Sequence, residues 1–169
     1  MSGSELIVTF LGTGSAIPPD NRQQVSCALR HSGGLVIFDC GEGTQYSIRK
    51  YRISTRKEIV ICVSHLHSDH FLGLPGLLAS FQLLNRQDPI NIIGPIGTST
   101  LVKNLMISNF IKVEYDIQIY ELNDSDQFHG HGYVIDAVSA RHEANALSFI
   151  WREDTRPGKV NISKINKLG

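Results

Sequence analysis

A buried strand that passes into a helix through a run of metal-ligand side chains constrains this chain more than any other stretch. Residues 59–63 (IVICV) are short, mostly β-branched and continuously apolar, the pattern of a strand covered on both faces. Residues 72–84 (LGLPGLLASFQLL) read as an apolar helix, which tolerates Pro75 because it falls in the first turn. Between them lie Ser64-His65-Leu66-His67-Ser68-Asp69-His70. Polar groups at the carboxyl end of such a strand sit where α/β sheets place their ligands. Neutral imidazole and carboxylate are the donor set of zinc and of similar divalent ions, manganese included.

The spacing divides these residues into two groups. His65 and His67 are two apart and point to one side of an extended segment. Asp69 and His70 follow once the chain begins to turn and can face a second position. Two ions about 3.5–4 Å apart are a known device for displacement at phosphorus or at carbonyl carbon. The bland alternative is a polar loop that binds nothing; four ligand-type residues directly after a buried strand weigh against it. His142, just beyond an apolar strand over residues 133–140, is a candidate third ligand for the first position. Three histidines leave a fourth coordination position open, as a catalytic zinc requires. Alone, His142 reads equally well as a surface histidine. Asp39 closes another apolar strand before Cys40-Gly41-Glu42-Gly43. It is either a turn former or, the reading favoured here, a carboxylate that fixes the tautomer of a ligand imidazole.

Two tempting motifs carry less. Gly12-Thr13-Gly14-Ser15 has no third glycine, and Pro18-Pro19 blocks a helix, so a tight turn fits better than a phosphate cradle. His129-Gly130-His131 lies in a polar stretch, residues 123–132, that reads as a loop with surface histidines.

The chain of 169 residues is about one domain long. Its 16 basic and 16 acidic residues cancel, so any nucleic-acid contact needs a local patch or an appended arm. The start lacks the basic opening of a signal peptide, and no apolar run approaches the roughly 18–20 residues that span a bilayer, so a cytoplasmic protein without membrane contact is expected. Cys27, Cys40 and Cys62 lie in or beside apolar strands and read as buried free thiols of a reducing compartment. Strands are expected over residues 6–11, 27–30, 35–39, 90–93, 117–122, 133–140 and 146–151, the second and third forming a hairpin. Helices are expected over 44–51 and 98–110, the latter capped by Thr98. This order predicts an α/β (α+β) sandwich rather than a cleanly alternating doubly wound sheet. From 152 to 169 basic residues outnumber acidic ones and no apolar face persists, the character of an exposed arm.

The motif His65-x-His67-x-Asp69-His70 resembles the signature of the metallo-β-lactamase fold, an αββα sandwich of hydrolases. With residues 10–18 (FLGTGSAIP), 38–45 (FDCGEGTQ), 64–78 (SHLHSDHFLGLPGLL) and 156–159 (RPGK), the chain is similar over almost its whole length to ribonuclease Z, the zinc endoribonuclease that removes the 3′ trailer of precursor tRNA. The resemblance implies that His65, His67 and His142 hold one zinc, that Asp69 and His70 hold a second, and that Asp69 accepts the proton of the attacking water. It implies precursor tRNA as partner, a homodimer, and a cytoplasmic or organellar location. Arg22 falls in the family's loop that senses the tRNA 3′ end, although the lysine usual there is absent; Arg156 and Lys159 fall at the start of the arm that grips the tRNA. The family's remaining metal ligands have no counterpart before Gly169. Residues 1–151 are therefore expected to form the amino-terminal part of the metal-binding domain, with the sandwich's other sheet missing, and residues 152–169 the start of the arm. Two alternatives stand beside this: a non-catalytic metal- or RNA-binding subunit, and a hydrolase of the same fold acting on a small phosphodiester.

Overall fold

The computed structural model describes residues 5–107, 112–142 and 145–154. A six-stranded sheet is built in chain order from β1 (Ile7–Gly12), β2 (Ser26–Arg30), β3 (Gly34–Phe38), β4 (Glu58–Cys62), β5 (Ile90–Gly94) and β6 (Ile117–Glu121). The first three strands form an antiparallel meander; β3 to β6 run parallel. Parallel neighbours need long crossovers. Helices α1 (Thr44–Lys50), α2 (Leu74–Leu83) and α3 (Thr98–Ile107) supply them.

A strand that is apolar at every position must be covered on both faces. Ile59 and Ile61 of β4 pack with Leu74, Leu77, Leu78 and Phe81 of α2. The intervening Val60 and Cys62 pack instead with Phe128, Tyr133, Ile135, Ala137 and Leu147. These last residues belong to a second, antiparallel sheet of β7 (Gln127–Gly130), β8 (Tyr133–Ala140) and β9 (Ala146–Glu153). The sandwich is therefore not confined to one sheet: three strands of the facing sheet are present, correcting the expectation that it would be missing. The period-2 pattern of β8 places Tyr133, Ile135 and Ala137 inward against the larger sheet.

Three local expectations also change. Residues 127–130 form a strand rather than part of a loop, paired with β8, although His129 and His131 are exposed as expected. The boundary drawn after residue 151 falls inside β9, where Arg152 lies opposite Val134 and pairs with Asp136 at 2.6 Å. Thr98 does not cap α3 by accepting a bond: its hydroxyl donates to the Pro95 carbonyl at 2.7 Å. The free amides of Gly97 and Ser99 donate instead to Glu121 Oε1, so the end of β6 caps the helix. The cysteines are free, with Cys40 and Cys62 buried and Cys27 partly so. Burial raises all three thiols, Cys40 to about 12, which makes them packing groups rather than nucleophiles. Among the described residues no helix is long and apolar enough to cross a membrane.

Candidate metal centre

The site begins where β4 runs out of partners. Val63 still bonds across to the Ile93 carbonyl, but the next amide, Ser64 N–H, donates to Asp39 Oδ1 at 2.8 Å. Asp39 closes β3 in the left-handed region, φ 57°, a conformation that Asp and Asn accept more readily than most residues. That bend turns its carboxylate back across the end of the parallel sheet. Its Oδ2 accepts from the Ser64 hydroxyl at 3.0 Å and contacts His70 Nδ1 at 2.7 Å. One carboxylate thus holds both ends of the histidine-rich connection.

The connection is extended through His67 (φ −81°, ψ 144°), then closes into a short 3₁₀ turn over Ser68–His70. Two glycines make the closure possible. A Cβ on Gly73 would lie 2.1 Å from the Gly41 carbonyl oxygen, and a Cβ on Gly41 would lie 2.6 Å from that of Asp69. Their bare backbones let Cys40 N–H donate to the His70 carbonyl and Gly73 N–H to the Cys40 carbonyl, both at 2.8 Å. The turn after β3 and the turn after β4 are thereby stitched together.

His142 arrives from the other sheet, two residues beyond β8. Leu147 N–H of β9 donates to the Ser64 carbonyl at 2.8 Å, tying the two sheets together at this point. One ligand atom from each of His65, His67 and His142 lies within 4.8 Å of the others. His65 is buried; His67 and His142 are exposed. His70 lies beside this trio, its ring 3.9 Å from that of His65, and its Nε2 stands 3.8 Å from Asp69 Oδ2. The arrangement brings together all five residues proposed as ligands and Asp39. Arg22 is elsewhere, exposed in the loop after β1 on the rim of a hollow against α1. Arg156 and Lys159 lie outside the described residues.

The donor chemistry suits a divalent ion. Burial, and then the neighbouring imidazoles His70, His142 and His67, lower the pKa of His65, which keeps its ring neutral and able to donate a lone pair. For His70 burial also acts downward, but the hydrogen bond to Asp39 and the charges of Asp39 and Asp69 outweigh it and raise the pKa. A His70 that donates from Nδ1 to Asp39 presents Nε2 on the Asp69 side. Ser64 is the participant that motif reading leaves without a role: its amide and hydroxyl both address Asp39, and its Oγ lies 3.0 Å from His65 Nδ1. Its place as the first polar residue after β4 is the only trace of this in the sequence.

The model of the family described as anti-Pycsar protein Apyc1 matches residues 6–150. The chain belongs to that family. Ribonuclease Z of Methanosarcina acetivorans is 37% identical over 164 residues, 97% of this chain and 54% of that protein. The crystal structure of the short form of human tRNase Z superposes with a TM-score of 0.74 at 30% identity, covering 86% of this chain and 63% of that one. The metallo-β-lactamase fold protein YhfI from Bacillus subtilis superposes at 0.68 with 14% identity, covering 86% and 57%, a likeness of fold alone. The fold class and the resemblance to ribonuclease Z read from the sequence are both borne out. The chain spans about half the length of the curated relatives it matches.

Proposed function

We propose that this chain carries the histidine-rich half of a divalent-metal phosphodiesterase site of the ribonuclease Z type, which removes the 3′ trailer of precursor tRNA and leaves a 3′-hydroxyl. The observation that carries this reading is the convergence of His65, His67 and His142 within 4.8 Å, from two different sheets. In this reading these three residues hold one zinc, with manganese as a substitute, and Asp69 with His70 holds part of a second position. A bound divalent ion supplies Lewis acidity toward the phosphoryl oxygens and lowers the pKa of water. Asp39 fixes the direction of His70, and Ser64 fixes Asp39. Asp69, partly buried beside His70 Nε2, takes the proton of the attacking water. Among the described residues Asp69 and His70 are the groups that face this second position, and two protein ligands make a weak zinc site. A homodimer and a cytoplasmic location belong to the same reading; the three free thiols support a reducing compartment.

Elemental analysis of the purified 169-residue chain tests the first position, and cleavage of trailer-bearing precursor tRNA beside bis(p-nitrophenyl) phosphate tests the substrate. The expected result is one firmly held zinc per chain, lost in His65→Ala and in His142→Ala. Trailer removal depends on added metal and disappears in His65→Ala. Zinc content indifferent to both substitutions overturns the ligand assignment. Metal-dependent hydrolysis of the small diester with intact precursor tRNA overturns the substrate. Two tightly held ions per chain with rapid tRNA cleavage overturn the account of a weak second position.

A further inference from the structure

Two oxygens and two imidazole nitrogens meet just beyond β4. Ser64 Oγ lies 3.0 Å from Asp39 Oδ2, 3.0 Å from His65 Nδ1 and 3.3 Å from His70 Nδ1. Asp39 Oδ2 lies 2.7 Å from His70 Nδ1. The places of the protons follow from what each group can do. A carboxylate only accepts, so the single proton of the hydroxyl goes to Asp39. The same carboxylate takes the Nδ1 proton of His70, at the shorter of that nitrogen's two contacts. The hydroxyl oxygen then has lone pairs, and no proton, to offer His65. Its 3.0 Å contact with His65 Nδ1 is therefore a hydrogen bond only if His65 carries its proton on Nδ1.

In a neutral imidazole one nitrogen carries the proton and the other the lone pair. With Nδ1 engaged, Nε2 is the nitrogen of His65 left for an ion. His65 is buried and meets His67 and His142 ring to ring, with centroids 4.7 and 4.5 Å away. Ser64 is itself pinned. Its amide donates to Asp39 Oδ1 at 2.8 Å while its hydroxyl addresses Oδ2, so one carboxylate grips the residue at two points. The amide alone would suffice to close the end of the strand. The hydroxyl is what reaches the ligand ring.

We propose that Ser64 is a positioning residue for the three-histidine position: its hydroxyl, held by Asp39, selects the Nδ1–H form of His65 and leaves Nε2 to take the ion. One carboxylate then sets two imidazoles, His70 directly and His65 through the serine. The two metal positions share a single anchor. The inference rests on the metal-site reading above and adds what decides which nitrogen of its buried ligand is presented.

Long-range ¹H–¹⁵N correlation spectra of the zinc-free 169-residue chain, labelled at histidine, read the place of the proton directly. The parent is expected to show His65 and His70 each with a proton on Nδ1. Ser64→Thr and Ser64→Val have nearly the same shape and differ in the hydroxyl. Ser64→Val is expected to let His65 populate both tautomers while His70 keeps its Nδ1 proton on Asp39. It should also weaken zinc binding, measured by competition with a chromophoric chelator, about 10- to 100-fold. Ser64→Thr is expected to keep both the parent tautomer and the parent affinity. A parent His65 with its proton on Nε2 overturns the inference without recourse to any variant. So do equal zinc affinities in the two variants. A change in Ser64→Val that moves His65 and His70 alike overturns it too, because that is the mark of a merely structural role. Cleavage of precursor tRNA separates the two readings. A chain with the expected tautomers and the Thr–Val difference that leaves the trailer intact counts against the phosphodiesterase reading alone. A chain that removes the trailer and shows no such difference counts against the inference alone.

Discussion

Asp39 offers the sharpest test of how the site is held, because two substitutions there separate backbone from side chain. Its carboxylate is 12% exposed and takes Ser64 N–H at 2.8 Å, Ser64 O–H at 3.0 Å and His70 Nδ1 at 2.7 Å. Hydrogen bonds to a charged partner contribute about 1.5–3 kcal/mol each, and toward the low end where the donors can hydrate when released. Asp39→Asn keeps the left-handed backbone comfortable and keeps one acceptor oxygen, but sets an NH₂ against one of the remaining donors. The expected cost is about 1–2 kcal/mol. Asp39→Ala loses every acceptor and adds about 1 kcal/mol for a left-handed Ala, giving about 3–5 kcal/mol in all. Urea unfolding followed by the fluorescence of Trp151, the chain's single tryptophan, measures both. If the two variants fall within about 0.5 kcal/mol of each other, the carboxylate does not organise this end of the sheet and the reasoning fails. With zinc present, Asp39→Asn should also weaken metal retention about 10- to 100-fold, the usual effect of disturbing the partner of a ligand imidazole.

Other expectations follow from the same geometry. Gly73→Ala, at a φ of −73° that any residue adopts, places a methyl 2.1 Å from the Gly41 carbonyl, so it should unfold the chain or lower its urea midpoint more than Gly132→Ala, whose added Cβ meets nothing within 4 Å and which carries only the strain of a φ of +83°; equal midpoints would refute the close-approach argument. Ile135→Ala, fully buried between the sheets, should cost about 2–5 kcal/mol in the same assay. The pKa of His31 is lowered from its ordinary 6.5 by burial under Tyr133 and Trp151, against the upward pull of Glu58 and Glu153. A base depressed in the folded state binds fewer protons there than when unfolded, so its contribution is complete above about pH 6.5 and declines as pH falls toward the lower folded value. His31→Gln should therefore lose less stability than the parent between neutral pH and about pH 5; an equal or larger loss would contradict this.

What could be read from the sequence was whatever lies close along the chain. The ligand motif occupies six positions between a strand and a helix whose apolar patterns are unmistakable, and the β2–β3 hairpin closes over three residues. Features set by partners distant in sequence were not visible. Residues 127–130 have one buried side chain, Phe128, and become a strand only because β8 pairs with them. Thr98 carries the standard capping residue type, yet the α3 amides go to Glu121, a carboxylate beyond the helix that no local pattern flags. The stretch from Arg152 looks like the start of a basic arm because its bases outnumber its acids and no apolar face persists. In β9 the Arg152 guanidinium meets Asp136, an acid 16 positions earlier that lies beside it only after β8 and β9 pair.

The same distinction separates the proposed three-histidine position from the one proposed at Asp69 and His70. His65, His67, Asp69 and His70 come from one connection, whose shape is dictated by Asp39, Ser64 and the Gly41–Gly73 contact. All of these anchors lie in the larger sheet and its loops. Among the described residues His142 is the candidate ligand that comes from the second sheet, and the Leu147–Ser64 hydrogen bond ties that sheet to the connection. The first position is thus anchored from both sheets, and its geometry depends on sandwich packing as much as on the motif. The consequence is that substitutions deep between the sheets, such as Ile135→Ala, should loosen metal binding at His142 before they disturb His70, whose orientation is fixed from within the larger sheet alone.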